Sequence, residues 1–128
     1  MLKISIPLGP TDNRRHVIAH GRFIDSSEYR SWKTAAIFLI KKQIPKGFVK
    51  FDPTFEDQLF YIMRVFLPDL RSDAANYDKG VRDVLTHAGV WKDDKFCMPR
   101  FEAVRIDKAN PRVEVWIGPR TMEEFVSL

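Results

Sequence analysis

The amino-acid sequence predicts an α+β fold: a single domain with a mixed β-sheet and two main helices packed on it. Two segments repeat their apolar residues at helical spacing, others alternate or run apolar as strands do, and the order is ββ-α-β-α-(β)-β-β. A chain of 128 residues and 15.0 kDa, 45% of it hydrophobic, can bury its own core, so one domain is expected over residues 1–128.

Lys3-Ile4-Ser5-Ile6 alternates polar and apolar residues and reads as a strand closed by Pro7. Residues 8–13 (LGPTDN) are turn chemistry with Arg14-Arg15-His16 behind them, and Arg22-Phe23-Ile24 reads as a short strand. Ser26 or Ser27 suits the cap of the first helix, with Glu28 in its first turn. Its apolar stripe is Tyr29, Trp32, Ala36 and Leu39, with Lys33, Lys41 and Lys42 off it, and it stops near Ile44-Pro45. The run LFYIMRVFL, Leu59–Leu67, is short and rich in β-branched and aromatic residues, as a central strand is. From Asp73 onward, Tyr77, Val81, Val84, Leu85 and Ala88 make one helical face, and Asn76, Lys79 and Asp83 share another. Gly89 fits the stop, with Val90 as its hydrophobic follower. Phe101–Ile106 and Arg112–Ile117 both alternate, and the Asp107–Pro111 connection predicts that they form an antiparallel hairpin. Trp32, Trp91 and Trp116 fall on expected core faces and read as packing.

Composition removes several function classes. The single cysteine, Cys97, excludes an intrachain disulfide framework or a cysteine-rich metal site and reads as a small buried hydrophobe. No apolar run nears the roughly 20 residues of a membrane span, and MLKISIPLGP lacks a signal-peptide core. A soluble intracellular protein with no membrane partner is expected. His16, His20 and His87 lack metal-ligand spacing, and His87 suits the negative end of a helix dipole. The net charge of +4 divides unevenly, +7 over residues 1–50 and −3 over residues 51–128. Such a division suits a polyanion held by one part and processed with a metal in the other, or an ordinary basic surface.

The stretch RSDAANYDKGVRDVLTHAGVWKDD, Arg71 to Asp94, carries the chemistry. Asp73 stands at a helix start, Asn76 and Lys79 on its first turns, and Asp94 beyond the next turn. Carboxylates converging from two places suit Mg²⁺ or Mn²⁺, which prefer oxygen ligands and leave room for water and phosphate. A neighbouring lysine would neutralise a scissile phosphate, and the combination fits phosphodiester hydrolysis. Each residue also has a plain structural reading. Asp73 serves equally as an N-cap, Lys79 and Asp83 as an exposed i,i+4 pair, and Asp93-Asp94 as a solvated turn.

The pattern RxDxxNxxKxxxDxLxxAGxxxDD resembles the RusA family of Holliday-junction resolvases, metal-dependent endonucleases encoded largely by bacteria and their phages or prophages. It runs unbroken over 24 residues through Arg71, Asp73, Asn76, Lys79, Asp83, Leu85, Ala88, Gly89, Asp93 and Asp94. The segment IPLGPTDNR, from Ile6 to Arg14, resembles the family's opening strand and its proline-containing turn. The resemblance implies a RusA-like homodimer with two symmetric sites that recognises four-way junction DNA and nicks opposed strands. It implies Mg²⁺, with Mn²⁺ as a substitute, and a bacterial cytoplasmic setting with a phage or prophage origin.

Roles carry over by position. Asp73 and Asp94 match the metal-ligand aspartates and Lys79 the essential lysine. Asn76 and Asp93 support them, and Arg14, Arg15, Arg22 and Arg71 are candidates for phosphate contacts. One position departs: the family pattern is Asp-x-Asp-Asn, whereas Asp73-Ala74-Ala75-Asn76 stands here. Ala75 occupies the place of a second catalytic aspartate, and a methyl group cannot ligate a metal. Either an introduced substitution or a natural loss explains it. A resolvase inactive or impaired as written is expected, with a non-catalytic branched-DNA-binding dimer as the alternative. Asp78, one helical turn after Ala75, lies on a neighbouring face and could substitute in part.

Overall fold

Alternation along the first strand, β1 (Leu2–Pro7), sends Leu2, Ile4 and Ile6 to one face, and all three are buried. The same period in β6 (Arg112–Pro119) buries Val113, Val115 and Ile117. β4 (Leu59–Leu67) is apolar at every position but Arg64, as suits a central strand flanked on both sides. The computed structural model describes residues 1–119. Its main sheet has the order β1-β6-β4-β5, with β5 spanning Cys97–Ile106. β1–β6 and β6–β4 are antiparallel and β4–β5 is parallel, so the sheet is mixed as expected.

The expected β5–β6 hairpin does not form. The two runs are strands, but β4 lies between them and pairs with both. The Asp107–Pro111 connection instead passes over the end of β4, where the Asp107 N–H donates to the Leu67 carbonyl at 2.8 Å. Alternation marks a half-buried strand but does not name its neighbour. A separate two-stranded ribbon, β2 (His16–Ala19) with β3 (Arg22–Asp25), precedes the first helix; β2 was not foreseen.

Helix α1 (Ser27–Gln43) is capped by Ser26, whose Oγ accepts from the Tyr29 N–H at 3.1 Å. Tyr29, Ala36 and Ile40 face the core, whereas Leu39 of the expected stripe is 38% exposed. From Ala36, a step of four residues keeps to the buried face better than a step of three. Helix α2 (Asp78–His87) buries Val81, Val84 and Leu85, with Tyr77 and Ala88 beside them, as the periodicity predicts. It ends in a Schellman motif: Val90 N–H donates to Leu85, Gly89 N–H to Thr86, and Gly89 has φ of 85°. Both helices lie on the sheet face that carries Ile4, Met63, Val65, Val115 and Ile117. Trp91 is fully buried in that core, and burial pushes the equally buried Cys97 thiol up to about 12. Trp116 belongs to the opposite face, between Lys3 and Arg64, because its neighbours Val115 and Ile117 take the core side.

Candidate active site

The segment after β4 turns into α2 later than its pattern suggests. Ala74–Tyr77 is a 3₁₀ turn and the α-helix starts at Asp78. Asp73 sits at the N-cap position of that turn, exposed, and makes no side-chain capping bond. The cap of α2 comes from elsewhere. Asp12 Oδ2 accepts from the Lys79 N–H and Oδ1 from the Gly80 N–H, both at 3.1 Å. Burial raises the Asp12 pKa, and the two amides offset part of that rise.

Trp32 fixes the loop that delivers Asp12. Its Nε1–H donates to the Pro7 carbonyl at 2.7 Å. Gly9 lies so close to the indole that a Cβ would stand 2.5 Å from it, so only glycine lets this turn lie against the ring.

Beside α2 and the turn that follows it opens a cavity of about 730 Å³. It is lined by Arg15, Asp78, Lys79, Arg82, Asp83, Thr86, Lys92, Asp93 and Asp94. Four cations, four carboxylates and one hydroxyl suit a hydrated, charged substrate rather than an apolar one.

Two networks shape this cavity. In the first, Tyr61 on β4 donates its hydroxyl proton to Asp78 Oδ1 at 2.6 Å. Arg82 Nε is shared between the Tyr61 oxygen at 2.6 Å and Asp78 Oδ2 at 3.0 Å. Arg82 Nη1 also lies 3.9 Å from Asp94 Oδ2, so one guanidinium links α2 to the acidic turn. Burial and then Asp78 push the Tyr61 pKa upward, so the hydroxyl stays protonated. In the second network, Asp83 accepts from the Tyr29 hydroxyl and lies 3.2 Å from Lys33, 3.2 Å from His87 and 3.5 Å from Arg15. Burial pushes the Asp83 carboxyl up, but Tyr29 and Lys33 outweigh it and hold it below the ordinary range.

Lys79, Asp93 and Asp94 are brought together in the cavity, and Asp78 joins them. Asp73, Ala75 and Asn76 do not line it. Lys79 and Asp83 both do, but without the i,i+4 ion pair of the plain structural reading, because Asp83 is taken by Arg15, Lys33 and His87. Asp93 Oδ1 also accepts from the Lys95 N–H at 2.9 Å. Among the arginines, Arg15 is committed to Asp83, exposed Arg14 to Glu28 at 3.1 Å, and Arg71 to Asp69 at 2.6 Å. Arg22 projects from β3 without an ion pair among the described residues. Sequence reasoning missed Asp12, Tyr61 and Arg82; only the Asp78–Arg82 spacing of four carried a signal.

Residues 6–118 match the model of the family described as Endodeoxyribonuclease RusA. The chain belongs to the RusA family. Membership carries the endodeoxyribonuclease and Holliday-junction-resolving character of RusA proteins and agrees with the α+β fold. No curated protein matches the chain. As a RusA protein it has no helix, among the described residues, long and apolar enough to cross a membrane.

The divalent metal expected from the sequence resemblance would find only a partial shell. Among the described residues, no three His, Cys, Asp or Glu side chains are gathered to hold an ion. Asp93 and Asp94 supply oxygen donors at an open cavity, while Asp78 is committed to Tyr61 and Arg82. Oxygen donors of this number fit Mg²⁺, which often takes one or two carboxylates and completes its shell with phosphate and water.

Proposed function

We propose that this RusA protein binds four-way DNA junctions as a homodimer and is a Mg²⁺-dependent endonuclease, impaired as written by Ala75. Mn²⁺ is the proposed substitute ion, and a bacterial cytoplasm, in a phage or prophage context, the proposed setting. The cavity that gathers Lys79, Asp93 and Asp94 from opposite ends of α2 is the observation that carries this reading.

The roles follow from the chain's own groups. Lys79 leaves the first turn of α2 exposed, with no carboxylate within ion-pair distance among the described residues, so its ammonium is available to a phosphate. The amides at that helix end already bind Asp12, which leaves the anion contact to side chains. Arg82 ties Asp78 and reaches Asp94, and so positions the acidic turn beside Lys79. Asp94, with Asp93 beside it, would hold the ion at the cavity, and the family pattern adds Asp73 from outside the cavity lining; the bound ion would lower the pKa of a water and stabilise charge on phosphate. A C₂ dimer would supply the two sites that paired nicks need.

A second reading, a junction-binding dimer without catalysis, is favoured by one observation: the position of an expected carboxylate is a methyl group, at Ala75. Both are tested with an end-labelled four-way junction in Mg²⁺ or Mn²⁺, comparing this chain with Ala75→Asp. Symmetric nicks from the variant and few from the parent are expected. Junction binding by both proteins with nicks from neither supports the second reading. Equal binding of junction and linear duplex overturns both.

A further inference from the structure

The β2–β3 ribbon carries an apolar pair on each face, one pair largely exposed and the other about half exposed. Ile18 and Phe23 face one another across its ladder and are 72% and 76% exposed; Val17 and Ile24 form the next pair, at 46% and 41%. Successive pairs point to opposite sides, so each face presents one apolar pair. The ribbon is nonetheless well formed. His20 and Gly21 have φ of 53° and 74°, the left-handed pair that a tight two-residue turn requires. His16 and Asp25 close its base at 3.2 Å, and the Ser26 N–H fastens it to α1 through the Arg15 carbonyl at 2.7 Å.

Two-stranded ribbons with exposed apolar pairs are marginal in water, which points to a partner. Charge decides which kind. Arg14, Arg15 and Arg22 stand within the segment 14–25 against Asp25 alone, which His16 engages. A second copy docked here would bring like charges together, whereas a polyanion would neutralise them. The ribbon is also rooted at the cavity, since Arg15, directly before β2, lines it. A partner that is anionic outside and aromatic inside, reaching from ribbon to cavity, is DNA with accessible base faces.

Building on the junction-binding reading above, we propose that the β2–β3 ribbon is a wedge for the branch point. Phe23, with Ile18 opposite, stacks on base faces that the crossover leaves open, while Arg22 and Arg14 take flanking phosphates. Apolar side chains inserted at base steps, with arginines beside them, are a known means of holding distorted DNA. The exposed pair of Arg14 with Glu28 is weak enough for a phosphate to replace.

The test uses the whole chain with a four-way junction carrying 2-aminopurine at the branch, beside a linear duplex of the same sequence. The parent is expected to change the 2-aminopurine fluorescence on binding. Phe23→Ala should abolish that change and weaken junction binding roughly ten-fold, with a less than about two-fold effect on duplex, whereas Phe23→Trp keeps both signals. Phe23 is exposed, so an unchanged thermal melt is expected for both variants. The wedge is overturned if Phe23→Ala matches the parent in fluorescence and junction preference. It is equally overturned if the variant turns a dimer into a monomer in sedimentation, which would make the ribbon a contact between copies. A parent that prefers junction to duplex while the variant shows no difference sinks the wedge alone. A parent with no such preference sinks the junction reading with it.

Discussion

Asp12 closes the N-terminus of α2 from 67 positions away: its two carboxylate oxygens each hold one amide, that of Lys79 and that of Gly80. The turn after β1, the Trp32 indole and the first turn of α2 are thereby one packed unit. The backbone of the residue proposed to meet phosphate is fixed by a group in the basic half of the chain.

Asp12→Ala should lower stability by about 1–2 kcal/mol, the usual cost of losing an N-cap. Asp12→Asn, with one acceptor oxygen instead of two, should cost about half as much. Urea denaturation reads both values. An alanine variant as stable as the parent would contradict the capping role.

Asp78 and Arg82 should show energetic coupling of about 1 kcal/mol in a double-mutant cycle with Asp78→Asn and Arg82→Gln. The pair is partly buried and shares the Tyr61 hydroxyl, so it is screened less than an exposed i,i+4 pair. Tyr61→Phe should reduce the coupling, because the shared oxygen orients both partners. A cycle that closes to zero would show the pair to be independent.

How much of this was legible in the sequence depends on the range of the interaction. Local signals served well: β4 runs from Leu59 to Leu67 as its composition predicts, and Ser26 caps α1. Gly89 stops α2 for the φ that glycine allows. Long-range pairing was opaque, because alternation in Arg112–Ile117 cannot say that the neighbours are β1 and β4. The motif singled out Lys79 and the Asp93-Asp94 doublet, and these residues line one cavity. It did not foretell that Asp73 would lie outside the cavity lining, nor that Tyr61 would engage Asp78 from the central strand.

Asp83 should contribute to stability in a pH-dependent way. Burial opposes its charge, yet the Tyr29 hydroxyl and Lys33 more than compensate, so its folded pKa lies below its unfolded value near about 3.9. A depressed carboxylate stabilises the fold above the unfolded pKa, and that contribution is lost as pH falls through the folded pKa. Stability should therefore drop more steeply below about pH 4 in the parent than in Asp83→Asn. Denaturant melts between about pH 2 and 6 measure the difference, and parallel curves would remove Asp83 as a source.

Lys79→Ala separates the two things asked of this lysine. If its ammonium meets one phosphate, the slope of log K against log salt should become shallower by about 1, from about −3 to −4 for four neutralised phosphates. The same change in an Ala75→Asp background should reduce junction nicking by about a hundred-fold or more, since a charge placed at the reacting phosphate counts for more in the transition state than in binding. Lys79→Arg should restore the slope, because the charge returns. It should restore nicking only in part, because a planar guanidinium does not place its charge where a compact ammonium does. An unchanged slope together with a full loss of nicking would move Lys79 from phosphate binding to the chemical step alone.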